Sequence, residues 1–180
     1  MHNHDNGKLV YEYPLVQYKI INGVPTIIGL TTGSELVLNA GIREKELIIG
    51  DKHIDLGRAE ITNEFAEFGL TKEIHNYEFI NPWIALNQKN TVTYRACDDI
   101  EKDELLERIL IGNLISMSKS LHYDVPGRIK VKSNFELVDI HLKGVKMCGF
   151  VGCFKSNFEL PKYIGLGRSV SSGFGAVLKH

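Results

Sequence analysis

The sequence predicts an α+β fold whose C-terminal part is a βαβ-containing, ferredoxin-like unit. Three observations carry that reading: a long amphipathic helix is signalled past the middle of the chain, a strand precedes it, and only strands and turns follow it. A hairpin signal near the start opens a second, related α+β half, which divides the chain into residues 1–75 and 76–180.

Leu9, Tyr11, Tyr13 and Leu15, then Val16, Tyr18 and Ile20, alternate on either side of Pro14. This predicts a strand over residues 9–21 with an edge or bulge at the proline. Asn22-Gly23 separates that run from a second β-rich stretch at residues 24–30, a strong short-range hairpin signal. A short helix is expected over residues 34–39, ended by Gly41. A mixture of strands is expected over residues 46–68, where Ile48, residues 53–56 and residues 59–61 alternate. A strand near residues 77–80 and a core tryptophan, Trp83, lead toward the long helix. That helix opens at Asp98, whose carboxylate caps it while Glu101 reaches back as in a capping box, and it runs to about Leu121. Leu105, Leu106, Ile109, Leu110, Leu114, Met117 and Leu121 recur at helical spacing and form its packing face. Strands at residues 129–131, 136–142 and 146–154 follow, the last two joined at Lys143-Gly144, and residues 174–178 close the tail.

Hydrophobic residues make up 43% of the chain and charged residues 24%, the balance of a globular protein able to bury a core. No apolar run approaches the ~20 residues that cross a bilayer and no basic-then-apolar leader opens the chain. No membrane association is expected, and the cytoplasm is the default location. Cys97, Cys148 and Cys153 form an odd set without C-x-x-C spacing, so neither a disulfide framework nor a zinc site is expected, and they read as core thiols. The net charge of −1 argues against a protein that coats nucleic acid, yet it hides an asymmetry. Residues 1–120 carry 12 Lys and Arg against 18 Asp and Glu, whereas residues 121–180 carry 9 against 4. Positive potential gathers in the C-terminal third, where a polyanion would be drawn. A solvated face with an uneven count is the alternative.

Four glycines fall between Gly165 and Gly175, together with Arg168 and the serines at 169, 171 and 172. Glycine permits positive φ and leaves no side chain to block a ligand, so such a loop can turn its amides into an anion-binding concavity. A dinucleotide or ATP loop needs a helix after the glycines, and here only a strand follows; a tight structural turn is the remaining alternative. His2-Asn3-His4 places two imidazoles two residues apart, on one side of an extended segment. RNA carries its own nucleophile, and its cleavage needs one group to take the 2′-hydroxyl proton and another to protonate the departing 5′-oxygen. Histidine does either near neutral pH. A tag remnant, a frayed terminus or half of a metal site would give the same spacing.

Taken together, these stretches resemble the CRISPR-associated Cas-six endoribonucleases, which cut CRISPR precursor transcripts within their repeats. The likeness runs from His2-Asn3-His4-Asp5 through Tyr13-Pro14-Leu15-Val16-Gln17-Tyr18-Lys19, Pro82-Trp83-Ile84-Ala85-Leu86-Asn87 and Leu110-Ile111-Gly112-Asn113. Its most specific part is the end, where Pro161, Tyr163, Ile164, Gly165, Leu166, Gly167, Val170, Ser171, Gly173, Phe174 and Gly175 match the hallmark pattern. The resemblance implies tandem ferredoxin-like (RRM-like) folds, the N-terminal one lacking a first strand and helix that family members carry before the His-x-His. It also implies cleavage without metal or cofactor that leaves a 2′,3′-cyclic phosphate. The family's catalytic groups map onto His2, His4 and Tyr11, and its RNA contacts onto Lys162, Gly165, Gly167, Arg168, Ser169, Ser171, Gly173 and Gly175. CRISPR repeat RNA, within precursor crRNA, is the expected partner, with other CRISPR effector subunits and a second copy of the chain as further candidates. Two rival classes stay open: a silent relative that holds the guide RNA without cutting it, and a structural module with no RNA role.

Overall fold

The computed structural model describes residues 3–5, 8–10, 12–43, 46–49, 52–55 and 59–180. The first half holds β1 (Asn3–Asp5) and β2 (Lys8–Val10), β3 (Val16–Ile21) and β4 (Val24–Gly29), α1 (Thr32–Arg43), and β5 (Glu46–Ile49) and β6 (Lys52–Asp55). Each consecutive pair of strands is an antiparallel hairpin. Asn22 and Gly23, both at positive φ (50° and 79°), make the predicted turn between β3 and β4.

The second half contains β7 (Gly69–Trp83), α2 (Gln88–Ala96), α3 (Asp99–Ser120), β8 (Val131–Leu142), β9 (Val145–Glu159) and β10 (Val177–Lys179). Its four strands form one antiparallel sheet in the order β10-β7-β9-β8. Numbered within the unit, that is 4-1-3-2, the ferredoxin-like order, with α3 as the first crossover. The second crossover, a helix in the full pattern, is replaced by the glycine-rich segment between β9 and β10. The predicted tight turn recurs between β8 and β9, where Lys143 and Gly144 take φ of 51° and 78°.

The long helix forms as its sequence dictates. Asp98 accepts a hydrogen bond from the Glu101 amide at 2.9 Å, and the Glu101 carboxylate accepts one from the Asp98 amide at 3.0 Å. Asp98→Ala removes one half of this reciprocal cap and should cost about 1 kcal/mol, read as a lower urea midpoint at unchanged slope. Leu106, Leu110, Leu114 and Met117 of α3 lie buried in one cluster with Tyr77, Phe79, Trp83, Phe150, Phe154 and Phe158 of the sheet. Alternation in β7 and β9 sends this aromatic set to one face. Among the described residues no helix is long and apolar enough to cross a membrane.

Several local expectations change. Helix α1 runs from Thr32 to Arg43 and passes through Gly41 rather than ending there; Gly41 keeps a helical φ and lies close to Ile61, whose Cδ1 would be 3.1 Å from a Cβ at that position. Residues 59–61 form no strand. The α2 helix carries no apolar signal since it buries no residue; its mark in the sequence is Asn87, whose side chain caps the Asn90 amide at 2.8 Å. The cysteines are not core thiols: Cys153 is exposed, and Cys97 and Cys148 are half-buried. Cys153 sits in β9 directly before buried Phe154, so strand alternation turns it to the opposite, open face.

Candidate nucleic-acid interface

The glycine-rich loop rests on the end of β7 and is clamped from the other side by β3. On the β7 side, the amides of Arg168 and Gly175 donate to the carbonyls of Ile84 (3.1 Å) and Pro82 (2.9 Å). Across the loop, Leu166 N–H donates to Gly175 O at 2.9 Å, closing it on itself. Two glycines are required by space: a Cβ at Gly175 would fall 2.0 Å from Leu166 O, and one at Gly167 would fall 2.5 Å from Trp83 Nε1.

The clamp from β3 is polar and buried. Gln17, fully buried, accepts the Gly165 amide at 3.0 Å through Oε1 and donates from Nε2 to the Tyr13 hydroxyl at 2.9 Å. Tyr13 in turn donates to Gly165 O at 2.5 Å, and burial pushes its pKa well above the ordinary tyrosine value, so it stays a donor. Lys19 donates to the carbonyls of Val170 (2.9 Å) and Phe174 (2.8 Å), and burial pushes its ammonium down to about 8. The Tyr18 amide adds a bond to Ser171 O at 3.3 Å. Three side chains of one strand and its approach thus satisfy four polar groups of the loop.

From Gln17 to Ile20 the strand's alternation runs opposite to its hydrophobicity. Tyr18 and Ile20 are exposed, while Gln17 and Lys19 face inward beside buried Ile21. Sequence reasoning missed both inward residues because a Gln and a Lys between apolar neighbours read as the solvent face. The signal that could have found them is the loop itself: several buried carbonyls and amides need partners.

The predicted contact residues divide by what they already bind. The amides of Gly165 and Gly175 are taken by Gln17 and Pro82. Among the described residues, the amides of Gly167, Ser169, Val170 and Ser171 have no hydrogen-bond acceptor. Ser169, at φ 56°, lends its carbonyl to Ser172 N–H. Gly173, at φ 102°, meets only Tyr18 O near its Cβ position, at 3.7 Å. Arg168 is exposed and donates from one guanidinium nitrogen to Leu86 O at 3.2 Å, leaving other donors outward. Lys162 is exposed, its ammonium 4.7 Å above the Tyr163 ring. His2, Tyr11 and the side chain of His4 lie outside the described residues; the His4 backbone pairs with Leu9 in the β1–β2 hairpin.

Among the described residues, several cations of the C-terminal third stay free of ion pairs, including Lys162 and Arg168 of the loop segment. Of the nine cations after residue 120, Lys132, Lys146 and Lys179 are paired with Glu107, Asp139 and Glu159. Arg128, Lys130, Lys143, Lys155, Lys162 and Arg168 are exposed, and none is in an ion pair among the described residues.

Two solved Cas6b structures are similar to this chain. One superposes with a TM-score of 0.91 at 43% identity, covering 99% of this chain and 83% of that one. The other, of a CRISPR RNA processing endoribonuclease Cas6b, does so with a TM-score of 0.83 at 39% identity, covering 94% of this chain and 83% of that one. A Cas6-related protein of Pyrococcus furiosus, 13% identical over 91% of this chain and 74% of its own, has a TM-score of 0.51 and so shares the fold. An uncharacterized protein of Methanocaldococcus jannaschii is 44% identical over 146 residues, 81% of this chain and 97% of that relative. A tandem ferredoxin-like chain closed by a glycine-rich loop defines the class of the Cas6-type proteins. Residues 1–67 match the Cas6b N-terminal domain and residues 69–180 the Cas6b C-terminal domain, and the chain belongs to the Cas6b family.

Proposed function

We propose that this chain is an endoribonuclease that binds CRISPR repeat RNA and cuts precursor crRNA by metal-independent acid–base catalysis. The 2′-hydroxyl attacks the adjacent phosphorus, the bond to the 5′-oxygen breaks, and a 2′,3′-cyclic phosphate and a 5′-hydroxyl result. One of His2 and His4 takes the 2′-hydroxyl proton, the other protonates the departing oxygen, and Tyr11 orients the phosphate. The observation that carries the RNA half of this reading is the clamped loop. Its inward polar groups are satisfied by Tyr13, Gln17 and Lys19, while the amides from Ser169 to Ser171 and the Arg168 guanidinium remain for phosphate. The catalytic half rests on the His-x-His spacing and on membership of the Cas6b family.

The test is single-turnover cleavage of the cognate repeat RNA in EDTA, beside a control with a 2′-deoxy group at the cut site. Cleavage of the first and none of the second is expected; cleavage of the deoxy control, or dependence on added metal, sinks the mechanism. Tight binding without cleavage would instead favour the silent relative, and no salt-dependent binding the structural module. Within the loop, Arg168→Ala should weaken repeat binding and lower the salt slope of log Kd by about one. An unchanged slope would remove Arg168 from the contact set.

A further inference from the structure

The glycine-rich loop covers a charge that the proposed chemistry leaves unused. Lys19 is only 3% exposed, and among the described residues it has no ion-pair partner. Its ammonium lies so close under the loop that a Cβ at Gly165 would fall 2.6 Å from Nζ. A buried charge is costly unless paired, and an apolar residue at such a position is often as stable or more so. The carbonyls of Val170 and Phe174 need donors, but a neutral donor would satisfy them as well, so stability accounts for hydrogen bonding here and not for a full positive charge.

We propose that Lys19 is a positioning residue for RNA binding, which aims an amide of the glycine-rich loop outward and holds beneath it the positive charge that a repeat-RNA phosphate neutralises. The first part follows from peptide geometry. In a trans peptide the C=O and the next N–H point in opposite directions, and no peptide of the described residues is cis. Lys19 draws Val170 C=O inward at 2.9 Å, so Ser171 N–H, which has no acceptor, points away from it to the loop's far side. The second part follows from charge. The two carbonyls that Lys19 binds are neutral, so a full positive charge persists under the loop in a medium that screens poorly. An anion seated on the outward amides feels it through one layer of backbone. The inference rests on the RNA-binding reading above and names the buried residue behind it.

The charged and titratable surroundings of Lys19 are few. The loop presents the carbonyls of Val170 and Phe174 and the backbone of Gly165. The β3 approach presents Gln17 and, beyond it, the Tyr13 hydroxyl, whose proton burial retains; Lys162 and Arg168 are exposed. Burial pushes the free ammonium down to about 8, and a bound phosphate favours its charged form. The pKa in the complex is thus above that of the free protein. Affinity is full below pH 8 and declines as pH rises through that value.

The experiment measures binding of the cognate repeat RNA, with a 2′-deoxy group at the cut site, by anisotropy from pH 6.5 to 9.5, for the wild type and Lys19→Met. The wild type should lose affinity above pH 8. Lys19→Met should bind about tenfold or more weakly at pH 7 and lack that component of the decline. Every other group is common to both proteins, so the difference between profiles isolates Lys19. Equal affinities and matching profiles overturn the assignment of Lys19 while leaving RNA binding intact; a wild type that binds no repeat RNA overturns both. If Lys19→Met fails to fold, lysine side-chain NMR on the wild type decides the matter. The Lys19 ε-carbon should titrate near pH 8 alone and at higher pH with RNA bound, and a midpoint that RNA does not raise overturns the proposal.

Discussion

His4→Ala is expected to lower the single-turnover rate of repeat cleavage by about 100- to 10,000-fold while leaving repeat affinity nearly unchanged. The two properties separate because they rest on different parts of the chain. In the proposed mechanism affinity draws on the cations after residue 120 and on the clamped loop, whereas proton transfer draws on the first few residues. Phosphodiester cleavage by the 2′-hydroxyl requires a base and an acid in one geometry, and residues two apart in a strand point to the same side. His4 belongs to β1, whose pairing with β2 puts it opposite Leu9. A pair of imidazoles also gives a bell-shaped dependence of rate on pH near neutrality, with one limb set by the base that must be neutral and the other by the acid that must be charged. His2→Ala should remove one limb, and its identity tells which histidine is the base. Wild-type rates in the His2→Ala/His4→Ala double variant would move the active site elsewhere.

How far this site was legible in the sequence depends on what each residue type has to signal. The capping box at Asp98 and Glu101 and the turns at Asn22-Gly23 and Lys143-Gly144 are local, because a few adjacent atoms decide them. The glycine-rich loop was legible as well, since no other residue fits where Leu166 O stands 2.0 Å from the Cβ position of Gly175. The clamp was not. Gln17 and Lys19 are buried only because a loop almost 150 residues later presents carbonyls and an amide to them, and nothing near them in sequence reports that demand. Hydrophobic alternation points the wrong way at β3 for the same reason: the tertiary partner of that face is backbone, not an apolar core. Helix α2 stayed unseen because a helix without a buried face has no periodicity to read.

Trp83→Ala is expected to cost about 3–5 kcal/mol, a large part of the 5–15 kcal/mol that holds a typical domain folded. The indole is fully buried and stacks on Phe79 with ring centroids 5.3 Å apart and planes 4° from parallel. Phe135 and Phe150 close around it at 5.3 and 6.1 Å, so its loss leaves a cavity walled by rigid rings that collapse poorly. A second cost is polar. Trp83 Nε1 donates to Asn113 Oδ1 at 3.0 Å, and truncation leaves that half-buried side-chain amide of α3 without this partner. Trp83→Phe keeps most of the ring and loses only this bond, so it should be distinctly milder than the alanine variant. The third consequence reaches the loop. Trp83 underlies Gly167, and the backbone just beside it, at Pro82 and Ile84, accepts the amides of Gly175 and Arg168. With the indole gone that floor sags, so Trp83→Ala should bind repeat RNA more weakly even at temperatures where circular dichroism shows it folded. A urea midpoint within error of the wild type, or full repeat affinity in the folded variant, would separate the core from the loop.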